Sequence, residues 1–464
     1  MTTPEENGLL AGTFWQVDTP DRRVPGHLKV TGQPVLDVLG RLFDERANRV
    51  QVSPTGGVTI TYSGDPDDLV ADFEPRTIHG ELEDGTRVSI VGAQGGKKRS
   101  TGLFDMEYRQ EFRTIRHVIL DEHVDDRQVY ASCCFSVVGP HWWRSEDGEA
   151  STSDGGRLVV TREGDTRWSE FIPLHPLTVR DFDRWVLSPI ATLASLLTAN
   201  RAEAVHLHVR LTDASPWRKV YREEESAPST SHELLDASHL GADRCTRWID
   251  FRKRSDALDA AAIDKLDGVA IQAAVLTFAA VAEGLHRRLF EDTKRVPALS
   301  PADLKHARRA ARTAARERVC ELDRSSRPDL TDDDLTEFEN AMNDSFSFIN
   351  EQTFRSRMAL FAVDAQAAIP NIVASFRDWP AAVKDALNTL AHKGTEPHSE
   401  TIDQFYDLLI ALSYSIPWVL RTILLLQAEI DASTLREAYE LSSAYNHHIT
   451  NTRNLLAGGP YAAR

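Results

Sequence analysis

The strongest constraint on the fold is a change of residue pattern partway along the chain, at a polar stretch over residues 222–232. Before this stretch, short runs of β-branched and aromatic residues alternate with Gly-, Asp- and Pro-containing turns, which is typical of strands. After it, long Ala- and Leu-rich segments carry apolar residues at helical spacing. The chain has 464 residues, more than one ordinary core supports. We therefore predict an α+β multidomain protein: a β-rich domain over 1–221 that is sandwich-like or made of two small packed sheets, a linker over 222–232 and an α-helical bundle domain over 233–464.

The β-rich part contains one helical interruption, predicted over 179–199, where apolar residues recur at helical spacing. The clearest predicted strands cover residues 57–62, 87–91, 117–120, 129–138, 157–161 and 205–211. In the last of these, Val205, Leu207 and Val209 alternate with His206 and His208. Two such histidines without a third ligand at recognisable spacing are more typical of a half-exposed strand than of a metal pair. We predict no metal site.

The overall charge, the cysteines and the apolar segments limit the compartment and the partners that we expect for this protein. A formal charge of −17 argues against a general nucleic-acid coat, although it leaves room for one local basic patch. The cysteines, at 133, 134, 245 and 320, are too scattered for a disulfide framework. The N-terminus lacks a secretory pattern, and the best apolar run, 416–430, is short and interrupted. These features predict a reduced, cytoplasmic protein with no membrane partner.

A basic helix is predicted from residue 304 to residue 319, after an N-terminal cap at Ser300 with Pro301 following it. Its cations follow the i, i+3, i+4 pattern and share one stripe: Lys305, Arg308, Arg309, Arg312 and Arg316. A solvated helix face is the common explanation of such a stripe. In a chain this acidic, however, a one-sided basic stripe favours an anionic partner, most simply RNA.

Another predicted helix, over 380–392, ends with a polar pair. Asn388 and His392 are four residues apart and fall on one face, just before Gly394. Such residues suit a functional site, but His and Gly are also common at helix C-termini for structural reasons. The local sequence by itself favours a helix cap.

Several stretches together resemble the HEPN superfamily. In the helical half these are Asn388-Thr-Leu-Ala-His392-Lys-Gly394, Ala282-Glu283 and Trp418-Val-Leu-Arg421. With Gly12-Thr-Phe-Trp15, Gly26-His-Leu28 and Thr77-Ile-His-Gly80 in the first half, nearly the whole chain resembles the anti-phage HEPN proteins called ApeA. The resemblance implies a helical HEPN domain preceded by a β domain that is a candidate sensor.

The resemblance also implies an activity: a metal-independent endoribonuclease that needs no cofactor and forms its composite site in a homodimer of helical domains. His392 would be the general acid or base, Asn388 its partner and Glu283 a supporting carboxylate. Arg308, Arg309 and Arg312, together with Lys305 and Lys384, would bind RNA, with tRNA among the candidates. A phage-derived trigger would release the activity.

One position departs from the HEPN pattern. Leu387 stands where the motif has Arg before Asn388, and a leucine side chain does not bind phosphate. Arg377, Lys384 or Arg421 would have to supply the missing cation. The alternative is a catalytically degenerate HEPN protein that binds RNA or senses a phage component without cleavage. A third hypothesis is a carbohydrate- or peptide-binding sandwich joined to a helical oligomerisation domain.

Overall fold

The chain forms two compact units in a computed structural model, one over 1–253 with 427–429 and one over 254–426 with 430–464. The structure describes residues 9–40, 42, 49–52, 58–61, 74–100, 108–138, 147–164, 166–223, 233–255, 269–290, 294–321, 331–392 and 401–463. The first unit is β-rich and the second is helical, which confirms the predicted order of the two classes.

Strands dominate the first unit, and all their described pairings are antiparallel. They are β1 (Leu9–Gln16), β2 (Val24–Lys29), β3 (Val35–Leu39), β4 (Arg49–Val52), β5 (Val58–Thr61), β6 (Arg76–Leu82), β7 (Arg87–Ser100), β8 (Tyr108–Leu120), β9 (Val129–Tyr130), β10 (Ser132–Val138), β11 (Gly148–Ser151), β12 (Arg157–Glu163), β13 (Thr166–Ile172), β14 (Leu177–Thr178), β15 (Glu203–Arg210) and β16 (Arg218–Tyr221).

Six strands close into a barrel in the order β8-β3-β2-β1-β6-β7, because β7 pairs back onto β8. Inward and outward side chains alternate in β2, where Val24 and Leu28 are buried while Lys29 is exposed. The barrel interior is filled by apolar side chains, so it is a packed core. They include Phe14, Leu28, Leu36, Val38, Ile78, Val88, Ile90, Phe112 and Val118.

The glycines of the first-half motifs have a structural role in this barrel. Gly12 pairs with Gly26 across β1 and β2, and Gly80 pairs with Phe14 across β6 and β1. A Cβ at Gly12 would lie 2.6 Å from the Glu81 carbonyl oxygen, and one at Gly80 would lie 2.5 Å from Phe14 Cδ1. Glycine is therefore required for the close approach of neighbouring strands.

The remaining sheet continues from the barrel in the order β11-β12-β13-β10-β15-β16, with β16 pairing to β8. The strands therefore form a barrel with a sheet that continues from it, and the prediction of a sandwich-like arrangement is wrong in this respect. The physical reason is the length of β8, whose thirteen residues pair with β3, β7 and β16 and so link barrel and sheet. The predicted alternation in β15 is confirmed: Val205, Leu207 and Val209 are buried and His206 is exposed.

The predicted helix over 179–199 is confirmed as a continuous helical segment with an irregular middle. It consists of α1 (Val179–Phe182), a π-helical turn (Asp183–Leu187) and α2 (Ser188–Thr198). A capping box at Thr178 and Asp181 starts it. Ala199, in the left-handed conformation with φ of 55°, ends it.

A 3-10 turn (Ala237–Leu240) and helix α3 (Ala242–Ser255) follow, and the division between the two units falls within α3, after Lys253. This division lies beyond the predicted linker, whose residues 224–232 are outside the described residues. The reason is that α3 packs on the β-rich part: Trp248 is fully buried and its Nε1 donates to the Pro189 carbonyl at 2.9 Å.

The second unit is built from helices. They are α4 (Ile271–Leu289), α5 (Pro301–Glu321), α6 (Asp332–Ser347), α7 (Phe354–Ala368), α8 (Trp379–His392), α9 (Ile402–Gln427), α10 (Ala432–Leu441) and α11 (Ser443–Leu456). Residues 432–456 form two helices, α10 and α11. Ser442 separates them because its Oγ accepts a hydrogen bond from the Tyr445 N–H at 3.2 Å and caps α11.

Helix α9 is the longest helix described in this unit, and most of its apolar residues are buried. Among the described residues it is the one helix long and apolar enough to cross a membrane by length and composition, so the sequence estimate that no run is long enough was too strict. Most of its apolar window is nevertheless buried inside the protein, as in a core helix.

Candidate functional site

Helix α8 carries the residues that the sequence singled out, and its N-terminus is firmly held. The carboxylate of Asp378 accepts a hydrogen bond from the Ala381 N–H at 2.9 Å and pairs with Arg355. Burial would raise the pKa of Asp378, yet these hydrogen bonds outweigh it and the pKa is lowered. Trp379 is buried and donates from Nε1 to Ser415 Oγ at 3.0 Å. The helix is therefore anchored to α9 at its first residue.

One face of α8 packs inside the helical unit and the other is exposed. Ala382, Val383, Ala386 and Thr389 are buried, and the helix packs on α4 and α7. The exposed positions include Lys384, Asp385, Asn388 and Ala391. The alternation follows from the helical period, since the apolar residues recur every three to four positions.

Lys384, Asn388 and His392 occupy positions i, i+4 and i+8 of α8, one helical turn apart. Lys384 and Asn388 are exposed on this face. His392 is the last residue of the helix, and its side chain lies outside the described residues. Leu387 is half-buried, at the edge of the packed face. The helix thus brings a cation and an amide together, although Leu387 replaces the motif Arg.

Glu283 lies on α4, a helix that packs on α8, but its carboxylate is engaged elsewhere. Arg287 donates from Nη2 to Glu283 Oε1 at 2.9 Å and from Nη1 to Glu351 Oε2 at 3.1 Å. Arg357 lies 3.7 Å from the same Glu351 carboxylate. Glu283 is therefore part of an ion-pair network of the helical unit.

A histidine that the sequence did not single out lies beside this network. His286 is fully buried, with ring centroids 4.8 Å from Phe290 and 5.3 Å from Phe361. Within the described residues neither of its ring nitrogens has a hydrogen-bond partner. Burial, helped by the charges of Arg357 and Arg287, lowers the pKa of His286 to about 4. A neutral imidazole enclosed in this way packs like an aromatic side chain and does not reach a substrate.

The basic helix predicted at 304–319 corresponds to α5, which pairs with α6. No described residue of α5 is buried. Arg312 donates to Asn343 Oδ1 at 2.9 Å, and Arg316 pairs with Glu339 at 2.8 Å. Part of the basic stripe therefore lies in the contact between α5 and α6.

The other three cations of the stripe differ in their exposure to solvent. Lys305 and Arg309 are exposed, whereas Arg308 is half-buried. Of the cations proposed to bind RNA, Lys305 and Arg309 on α5 and Lys384 on α8 are therefore the accessible ones. The stripe is divided because it is wide. Its five cations cover more of the surface of α5 than the part that α6 leaves exposed.

Helix α11 holds a second His–Asn pair that spacing could have revealed. Asn451 Nδ2 lies 2.9 Å from Nε2 of the exposed His447, four residues earlier. Arg453, on the same helix, is exposed. Arg421, in contrast, is buried on α9 with its guanidinium 5.1 Å from the Trp418 ring centroid, so it does not supply a cation to an exposed face.

No group of three or more metal-ligating side chains suited to a metal ion occurs within the ranges that the structure describes. Searches for similar proteins gave no match: no family model, no curated protein and no solved structure matches this chain.

Proposed function

We propose that the helical unit is a metal-independent endoribonuclease of HEPN type, acting as a homodimer in anti-phage defence. The observation that carries the proposal is the row of Lys384, Asn388 and His392 along one face of α8. These three residues supply a cation, an amide and an imidazole on successive helical turns. Lys384 and Asn388 are exposed on that face, so an extended RNA strand can approach them.

Each group has a role in cleavage by the ribose 2′-hydroxyl. As the O2′–P bond forms and the P–O5′ bond breaks, a base takes the 2′-hydroxyl proton and an acid gives one to the leaving O5′. An imidazole titrates near neutral pH, so His392 of one protomer and its copy in the other can serve as base and acid. Lys384 stabilises the negative charge that develops on the phosphate, in place of the motif Arg. Asn388, between them, orients the phosphate.

The exposed cations of α5, Lys305 and Arg309, add electrostatic attraction for RNA. By the same resemblance, the substrate is host or phage RNA, including tRNA, in the cytoplasm. A phage-derived trigger, sensed through the β-rich unit, releases the activity.

The test uses dimeric protein, total RNA and purified tRNA, each assayed with and without EDTA. Cleavage should yield 2′,3′-cyclic phosphate ends, and His392→Ala should lower the rate at least 100-fold. His447→Ala is the matched control, because it makes the same change at an exposed histidine of another helix. Cleavage retained in His392→Ala, or abolished by EDTA, would refute the proposal.

The second candidate function is RNA binding without cleavage, which Leu387 favours because it removes the motif cation. In that case no cleavage occurs at any protein concentration, while RNA binding weakens steeply with salt. Lys305→Ala and Arg309→Ala should each reduce the dependence of the binding constant on salt concentration by about one counterion.

A further inference from the structure

The first unit contains a cavity of about 330 Å³ that the proposed RNA chemistry does not use. Its lining includes the apolar side chains of Phe171, Leu177, Trp185 and Val186, together with the polar residues Asp154, His175 and Lys253. This volume is at the lower end of the range for small-molecule sites, which are mostly apolar with a few polar groups. The cavity lies wholly within residues 154–253, so it belongs to one compact unit.

Four separate segments build the cavity. Phe171 comes from the end of β13, Trp185 and Val186 from the π-helical turn, Lys253 from α3, and Asp154 from the turn before β12. A π-helical turn inserts an extra residue into a helix and occurs frequently at functional sites. Here that turn places two of the apolar wall residues.

A glycine keeps the floor of the cavity clear. A Cβ at Gly156 would lie 2.6 Å from Phe171 Cζ and 2.8 Å from Thr152 Oγ1. Any other residue at this position would displace the Phe171 ring. The ring therefore depends on Gly156 for its place in the wall.

Two charged residues of the lining, Asp154 and Lys253, form an ion pair. Thr152 Oγ1 donates to Asp154 Oδ1 at 2.6 Å, and Lys253 Nζ donates to Asp154 Oδ2. Burial would raise the pKa of Asp154, but these hydrogen bonds lower it, so the carboxylate is ionised and both of its oxygens are engaged. An ammonium has three N–H groups, and one bond to Asp154 leaves two of them for another acceptor.

Trp185, which lines the cavity, also has a second cation beside it. The Arg184 guanidinium lies 4.4 Å from the Trp185 ring centroid, in the geometry of a cation–π contact. Lys253 therefore favours an anion in the cavity, and Arg184 adds positive charge next to Trp185. A cation would instead meet the Asp154 carboxylate, whose charge Lys253 already neutralises.

We propose that this cavity binds a small planar aromatic acid, with its ring between Phe171 and Trp185 and its anionic group at Lys253. The anionic group is a carboxylate or a phosphate, so the source is either an aromatic carboxylic acid or a mononucleotide. The site is independent of the α8 face, and its occupancy does not require RNA cleavage.

The experiment is isothermal titration of the full-length protein with three probes: indole-3-acetate, adenosine 5′-monophosphate and 3-methylindole, which lacks the acid. Saturable binding of one of the acidic probes, with 3-methylindole at least tenfold weaker, supports the proposal and identifies the source. Absence of saturable binding by both acidic probes up to millimolar concentration overturns it.

Variants then separate the site from general effects on folding. Lys253→Gln and Trp185→Ala should weaken binding at least tenfold. Asp154→Asn breaks the same ion pair but removes the negative charge, so it should leave binding unchanged or strengthen it. Lys219→Gln, at a lysine of β16, is the matched control and should have no effect. Equal weakening by Lys253→Gln and Asp154→Asn would show that loss of the ion pair, not of the cation, is responsible, and would refute the assignment.

Discussion

The exposed face of α8 and the cavity of the first unit are two ways to assemble functional groups. The face is made by one helix, and the spacing of Lys384, Asn388 and His392 is set by the helical period alone. The cavity draws on four segments, and its shape depends on how they pack. Substitutions on the face should therefore change chemistry with little change in stability, whereas substitutions in the cavity should change both.

The largest expected effect concerns the face. Lys384→Ala should lower the RNA cleavage rate roughly 100-fold, because it removes the charge that stabilises the transition state. Since Lys384 is exposed, the free energy of unfolding should stay within about 0.5 kcal/mol of wild type. The measurements are cleavage kinetics and urea unfolding.

Lys384→Arg keeps the charge and should retain most of the activity. Lys305→Ala is the control at an exposed cation remote in sequence, and its effect should be confined to RNA affinity at low salt. Equal loss of cleavage in Lys384→Ala and Lys384→Arg would contradict a charge-based role.

The buried His286 adds a third case to the comparison. Its protonation should affect the free energy of unfolding of the protein and not the binding of a ligand. Its folded-state pKa of about 4 lies below the value of 6.5 for an exposed histidine, so the unfolded state binds more protons as the pH falls. The stability that His286 contributes is therefore complete above pH 6.5 and is lost as the pH falls from 6.5 towards 4. By pH 5 the loss should be roughly 2 kcal/mol.

His286→Leu removes this titration, so the difference between variant and wild type should grow in the variant's favour as the pH falls from 7 to 5. His448 and His117, whose pKa values burial likewise lowers to about 4, remain in both proteins and leave a residual slope. The measurement is urea unfolding across this pH range, with His447→Leu as the exposed control. A difference that does not change with pH would contradict a neutral buried His286.

The smallest expected effect concerns the cavity. Trp185 is half-buried, so Trp185→Ala should lower the free energy of unfolding by roughly 1–2 kcal/mol through lost packing. Asn388→Ala, on the α8 face, should change it by less than about 0.5 kcal/mol. Thermal or urea unfolding of the two variants measures this difference in stability. Equal destabilisation by the two substitutions would contradict it.

Local periodicity in the sequence was enough to predict much of this protein. Alternation predicted the two faces of β15, and helical spacing predicted the segment from Val179 to Thr198 and helix α8 with Asn388 and His392 on one face. These features depend on residues within one or two turns of each other, so the sequence contains all that they need.

Features that depend on distant residues were not accessible in this way. The barrel closes because β7 pairs back onto β8, the stripe on α5 is divided because α6 covers part of it, and His286 is neutral because Phe290 and Phe361 enclose it. The cavity likewise exists because Phe171, Trp185 and Lys253, far apart in the chain, meet around one space. The sequence alone therefore determined which residues form each element and which side of it is apolar. Strand pairing and side-chain burial depend on contacts between residues that are far apart in the chain. These contacts decided which of those residues can reach a ligand.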